Sequence, residues 1–194
     1  MELKDYVFIK EECFDEATLK RLLKWIKNDV FFEEAPVTGP HGTGVISKGI
    51  RQVSQRFITN LNLPNSQNSY TSVMWYNFLV HLFMGMTIDY FNKHNFVSRV
   101  LDSDMEIVIL KYEKTDFYKP HSDHHKFTPR NISFTFILND DFTGGEFNFY
   151  FNNSQLKIQN KKNMCILFPS NFMFAHSIQP VTQGTRYAIV GWMP

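Results

Sequence analysis

The sequence has little of what marks the common special classes of protein. Two of its 194 residues are cysteine, Cys13 and Cys165, far apart and without CxxC spacing. That excludes a disulfide framework and a cysteine-ligated zinc site, and it reads as two free thiols in a reducing compartment. Charge is nearly balanced at a formal +1, so no bulk field draws the chain to nucleic acid or to an anionic membrane. There is no tandem basic patch, and Lys161-Lys162 reads as a hairpin turn. The amino-terminal run MELKDYVFIKEE is charged and lacks a long apolar core, so it does not read as a signal peptide. Only Val73 to Phe91 approaches a membrane span, and Asn77, His81, Gly85 and Asp89 interrupt it. It reads instead as a helix packed on a sheet. Repeats and low-complexity tracts are missing. A cytoplasmic protein is expected, without membrane or nucleic-acid partners; the many Asn, Lys, Phe and Ile residues fit an AT-rich microbial or phage genome.

Aromatic residues, by contrast, are plentiful at 16%, with 20 Phe, which favours a β-rich interior filled by large side chains. The length suits a single domain over 1–194. Residues 5–9 (DYVFI) read as a short strand. Asp15 can cap a helix running to about Asn28, with Leu19, Leu22, Leu23 and Ile26 on one face. Residues 31–68 are polar and punctuated by Pro36, Gly39, Pro40, Gly42, Gly44 and Pro64. They read either as a functional lid or as a poorly ordered connection. A second helix is expected from about Ser69 to Lys93.

From Met105 the pattern changes to short apolar, β-branched runs. These are 105–112, 132–138, 146–151, 155–158, 164–168, 174–178 and 185–192, separated by turn signals such as Asn139-Asp140-Asp141, Gly144-Gly145, Asn152-Asn153 and Gln183-Gly184. Short strands following two helices predict a mostly β fold with flanking helices. The expected core, over 101–194, is a jelly roll (double-stranded β-helix), with helical support from 1–100.

Within that core lie His121-Ser122-Asp123, then His176, then Arg186 ten residues further on. On a strand, side chains alternate with period two, so His121 and Asp123 would share a face. A third ligand from a distant strand, His176, completes two histidines and one carboxylate. That set covers one face of an octahedral metal and leaves the other open, as in non-haem Fe(II) oxygenases. Two open positions can take a 2-oxo acid and one O2, and the carboxylate at 123 favours hydroxylation. Arg186 is a planar donor suited to a carboxylate, and on a strand Ala188 and Val190 share its face. His124 and His125 compete for the metal; His125 reads better as a loop residue near the substrate. His81 reads as a helix-packing residue.

These residues resemble the Fe(II)/2-oxoglutarate-dependent dioxygenase superfamily, and within it the prolyl 4-hydroxylase-like branch. The likeness rests on LKYEKTDFYKPHSD, RNISFTFILNDDFTGGEFNF and FPSNFMFAHSIQPVTQGTRYAIVGW, and it covers about 105–194. It implies Fe(II) held by the catalytic set His121, Asp123 and His176, with 2-oxoglutarate and O2 as cosubstrates and ascorbate as an accessory. Arg186 would hold the distal carboxylate of 2-oxoglutarate, Tyr112 would hydrogen-bond it, and Trp192 would line its pocket or simply fill the core. Arg130, Tyr118 and His125 would contact substrate, although Arg130 also reads as an ordinary solvated charge. The implied reaction decarboxylates 2-oxoglutarate to succinate and CO2 and hydroxylates an unactivated C–H. Prolyl residues of a peptide or protein are the first candidate substrate, and free amino acids or other small molecules the second. A non-catalytic jelly-roll binding module is the rival from another class, and an intact ligand set with Arg186 weighs against it.

Overall fold

The two helices form because each has a cap and an apolar face. Asp15 accepts the backbone N–H of Thr18 at 2.9 Å and its hydroxyl at 2.6 Å, starting α1 (Glu16–Asp29). The helix buries Thr18, Leu19, Leu22, Trp25 and Ile26, with Leu23 half-buried at the margin. Ser69 accepts from the Ser72 N–H at 3.2 Å and starts α2 (Tyr70–His94), which stops at Asn95 in the left-handed conformation (φ 54°). This second helix buries Trp75, Leu79, Phe83, Met86 and Tyr90, while Met74, Phe78 and Ile88 on other faces stay exposed. No helix among the described residues is long and apolar enough to cross a membrane. The computed structural model describes residues 2–39, 41–59, 69–96, 105–152 and 154–194.

Strands supply the rest. In chain order they are β1 (Phe8–Lys10), β2 (Glu33–Glu34), β3 (Val37–Thr38), β4 (Gly44–Val45), β5 (Arg51–Gln52), β6 (Ser54–Ile58), β7 (Glu106–Tyr112) and β8 (Phe117–His121). There follow β9 (Ile132–Ile137), β10 (Thr143–Gly144), β11 (Phe147–Phe151), β12 (Ser154–Ile158), β13 (Met164–Pro169), β14 (His176–Ile178), β15 (Val181–Gln183) and β16 (Arg186–Met193). A seven-stranded sheet runs in the order β1-β13-β9-β16-β7-β6-β2, and a five-stranded sheet in the order β12-β11-β14-β8-β5. The pairings are antiparallel throughout both.

The larger sheet is buried on both faces. Ile107, Ile109, Phe134, Phe136, Leu167 and Ile189 pack with the helices. Val108, Leu110, Ile166, Phe168 and Val190, one residue out of phase, pack with Phe147 and Phe149 of the smaller sheet. Period-two alternation thus splits the apolar residues between an outer and an inner core. Two facing antiparallel sheets with helices outside one of them are the jelly-roll arrangement expected from the sequence.

The larger differences in the fold lie in the first hundred residues. Residues 5–9 do not make one strand. Asp5 accepts the Glu2 N–H at 2.8 Å and its own N–H reaches the Glu2 carbonyl at 3.0 Å, so Leu3–Tyr6 coil into a 3-10 turn before β1. The 31–68 segment is not a plain loop, since β2 to β6 lie in it and β6 and β5 extend the larger and smaller sheets. The amino-terminal part is therefore more than helical support. Pro40, and residues 60–68 with Pro64, lie outside the described residues, as does Asn153 of one expected turn. Both thiols are free: Cys13 is half-buried with its pKa pushed up to about 11 by burial, and Cys165 is fully buried and raised well above the usual thiol range for the same reason.

Phe83 joins helix to sheet. It is fully buried and stacks on Phe134 at 4.5 Å between ring centroids. Phe83→Ala should destabilise the fold by about 3–5 kcal/mol through lost burial and a residual cavity. Tyr70→Ala, at a 98% exposed position, should stay within about 0.5 kcal/mol of wild type. Urea unfolding of the two variants checks the pair.

Candidate metal and cosubstrate site

The smaller sheet brings the two histidines together. β14 pairs with β8 so that His176 lies directly opposite His121, a cross-strand pair closed from 55 residues apart. Their ring centroids are 4.3 Å apart. His176 opens its strand, because Phe172–Phe174 form a 3-10 turn rather than the expected strand start. Asp123 reaches the pair differently from the way the sequence suggests. β8 ends at His121 and Asp123 sits in the bend beyond it, so strand alternation is not what aligns the two side chains. The bend still turns the carboxylate inward, with Oδ1 3.6 Å from His121 Nε2 and Oδ2 3.7 Å from His176 Nε2.

Hydrogen bonds fix which ring nitrogens face the centre. His121 Nδ1 lies 2.8 Å from the Lys119 carbonyl and His176 Nδ1 lies 3.1 Å from the Phe174 carbonyl. A carbonyl oxygen only accepts, so each Nδ1 carries a proton and each Nε2 is the ring nitrogen left to face the centre. Burial pushes the His176 pKa down to about 4, against the raising effect of Asp123, so this imidazole is neutral at neutral pH. Burial alone would raise the Asp123 carboxyl, but the two imidazoles and the Ser133 hydroxyl outweigh it and hold it well below the usual carboxylate range. Ser133 Oγ donates to Asp123 Oδ2 at 2.6 Å and lies 2.8 Å from Ser170 Oγ. Phe147 stacks flat against His176, with 5.0 Å between centroids and 8° between planes. Three potential ligand atoms within 4.8 Å of one another, two imidazole nitrogens and a carboxylate oxygen, fit a cation. Two imidazoles and one carboxylate suit Fe(II) and leave one side of it open.

Arg186 lines the same cavity from β16, opposite Tyr112 on β7. The residue is 1% exposed, its guanidinium carbon is 5.2 Å from the centre of the Tyr112 ring, and Nε and one terminal nitrogen have no hydrogen-bond partner among the described residues. A buried cation left in this state costs several kcal/mol unless an anion meets it. The donors of Arg186 therefore fit a carboxylate, which accepts two parallel N–H bonds. Gly145 makes room for it: φ is +64°, and a Cβ there would come within 3.0 Å of Arg186 Cδ.

Of the other residues singled out in the sequence, Tyr112, Tyr118, Arg130 and Trp192 all line this cavity. Tyr118 stacks on His121 at 3.5 Å, and burial pushes its pKa up to about 12. Arg130 lies 3.7 Å over the Trp192 ring and is ion-paired with Glu106, which makes it a fixed group rather than a solvated charge. Trp192 Nε1 is buried without a hydrogen-bond partner among the described residues. His125 is not brought in: it bridges to Thr128, and its Nδ1 accepts from the Phe127 N–H at 3.3 Å. His124 Nδ1 lies 2.8 Å from the Arg130 carbonyl, away from the triad. Sequence reasoning missed Ser133, Ser170, Glu106, Phe147 and Arg51. Ser133 and Phe147 lie inside the matched strings, but only register shows what they touch.

Residues 107–194 match the family model of the 2OG-Fe(II) oxygenase superfamily. This segment is therefore similar to that superfamily. It is similar to PKHD-type hydroxylases: 32% identical over 95 residues to one from Synechococcus sp. (strain JA-3-3Ab), covering 45% of this chain and 42% of that protein. A second, from Idiomarina loihiensis, is 29% identical over 91 residues and covers 45% and 41%. The chain thus matches less than half the length of these curated relatives. The whole fold is prolyl 4-hydroxylase-like. It superposes on a Pseudomonas putida prolyl-4-hydroxylase with a TM-score of 0.70 at 15% identity, covering 97% of this chain and 92% of that one. A Trichoplax adhaerens prolyl hydroxylase in complex with a hypoxia-inducible-factor peptide fragment gives 0.74 at 17%, covering 97% and 83%.

A divalent metal bound at the triad should stabilise the folded state by mass action, by about 2.7 kcal/mol at a hundredfold excess over Kd. Thermal unfolding under anaerobic conditions with Fe(II) or Mn(II) should show a raised Tm in the wild type, reversed by a chelator and absent in Asp123→Ala.

Proposed function

We propose that this protein is an Fe(II)- and 2-oxoglutarate-dependent dioxygenase that hydroxylates a prolyl residue in a peptide or protein. The observation that carries the reading is the joint placement, in one cavity, of two imidazoles, a carboxylate and a buried guanidinium whose donors are unmet among the described residues. When bound, Fe(II), 2-oxoglutarate and O2 supply the oxidation, in which 2-oxoglutarate becomes succinate and CO2 as the second oxygen atom enters a substrate C–H.

The chain's own groups do the holding. His121, Asp123 and His176 take one side of the metal, and the Lys119 and Phe174 carbonyls fix the ring orientations. Ser133 keeps the Asp123 carboxylate in place. Arg186 takes the distal carboxylate of 2-oxoglutarate. Tyr112, fully buried and with its pKa raised by that burial, remains a phenol able to donate to the same group. Arg130, anchored by Glu106 above Trp192, shapes the mouth where substrate enters. A prolyl substrate is supported by the prolyl hydroxylases among the structural relatives, one of them in complex with a peptide. Acting as one domain over 1–194 is part of the same proposal, since β1, β2 and β6 complete the larger sheet.

Anaerobic addition of Fe(II) and 2-oxoglutarate should give a weak metal-to-ligand charge-transfer band in the visible. His176→Ala should abolish it. Arg186→Ala should need about 10–100-fold more 2-oxoglutarate, the loss expected for a hydrogen bond to a charged group. Mass spectrometry of proline-rich peptides after aerobic turnover should show a gain of one oxygen. Absence of the band with folded protein would contradict the dioxygenase reading, and a band without any oxidised proline would contradict the prolyl one.

A further inference from the structure

After the proposed ligands are placed, one cation in the cavity has no anionic partner among the described residues. Arg130 is matched by Glu106 and Arg186 by the distal carboxylate of 2-oxoglutarate. Arg51, on the edge strand β5, also lines the cavity. No acidic group among the described residues pairs with it, and its contacts are a hydrogen bond to the Pro36 carbonyl at 2.8 Å and the Tyr118 ring at 4.8 Å. Its Nε is buried with no hydrogen-bond partner among the described residues.

Arg51 is also held firmly relative to the triad. β5 pairs with β8 so that Arg51 lies opposite Tyr118, and the Lys119 N–H donates to the Ile50 carbonyl at 2.9 Å. Tyr118 is in turn stacked on His121 at 3.5 Å. The guanidinium is thus fixed one ring beyond a proposed metal ligand, before any substrate arrives. A fixed, half-buried guanidinium with a free N–H is built to accept a carboxylate and loses little entropy in doing so.

We propose that Arg51 anchors the substrate, and that the substrate carries a carboxylate close to the carbon that is hydroxylated. The inference rests on the dioxygenase reading above and narrows its substrate class. The carboxylate can be an acidic side chain beside the target proline or the α-carboxylate of a free amino acid, and the test separates these sources.

Protein loaded with Mn(II) and 2-oxoglutarate under nitrogen is titrated calorimetrically with matched probes. Acetyl-Glu-Pro-Gly-amide and acetyl-Gly-Pro-Glu-amide are each compared with the Gln counterpart, and L-proline with L-prolinamide. Wild type should bind the acid of at least one pair about tenfold or more tighter than its neutral partner, the range for a charge-assisted hydrogen bond. A peptide pair or the free-proline pair doing so identifies the source. In Arg51→Gln, checked by circular dichroism to be folded, the preference should fall below about twofold, and Arg51→Lys should restore part of it. Equal binding of acid and amide by wild type, binding of none of the acids, or a preference that survives Arg51→Gln overturns the proposal. So does a weakened 2-oxoglutarate affinity in Arg51→Gln with the acid preference intact, which would assign Arg51 to the cosubstrate instead. If wild type gives no charge-transfer band with Fe(II) and 2-oxoglutarate, the dioxygenase reading itself has failed. A band without acid preference removes only the role given to Arg51.

Discussion

Arg186 sits at the start of the strand that runs through the middle of the larger sheet, enclosed by Tyr112 on the paired strand and by the turn at Gly144-Gly145. Two of its nitrogens meet no acceptor among the described residues. A fold tolerates such a group only if it is strongly stabilised elsewhere or if an anion arrives. Much of the molecule is consistent with both conditions. The residues of β16 face two apolar cores, one toward the helices and one toward the smaller sheet, and they hold the strand at a depth where the guanidinium cannot escape to water. Gly145 removes the side chain that would otherwise displace it.

The triad depends on a different constraint, the register of β14 against β8. Direct opposition of His176 and His121 sets the distance between the rings. Backbone carbonyls then select the tautomers, and Ser133 with Ser170 steadies the carboxylate. A one-residue slip in that pairing would turn one histidine to the opposite face of the sheet. The aromatic packing of Phe147, Phe149 and Phe168 around His176 opposes such a slip and excludes water from one flank of the site.

The sequence was legible where chemistry and spacing coincide. His121, Asp123, His176 and Arg186 fall into one cavity, and the second half of the chain follows the strand alternation. The route to Asp123 was misread because a bend can aim a side chain where a strand would, and sequence alone does not tell them apart. Strands β2 to β5 were not legible, because two-residue strands carry no periodicity and are fixed only by their partners. Glu106, Ser133 and Arg51 share a similar limitation. Each acts through a neighbour at least ten residues away: Arg130, Asp123 and Tyr118 respectively. His125, read as a loop residue near the substrate, does lie beyond the end of its strand, but it pairs with Thr128 and does not line the cavity.

The central claim is that the unmet donors of Arg186 exist to take a carboxylate distant from the metal. Calorimetry of Mn(II)-loaded protein under nitrogen with 2-oxoglutarate and with 2-oxobutanoate, which has the 2-oxo acid but not the second carboxylate, tests it most directly. The account expects 2-oxoglutarate to bind about tenfold to a hundredfold more tightly, with that preference lost in Arg186→Gln. Equal affinity for the two acids in the wild type would contradict it.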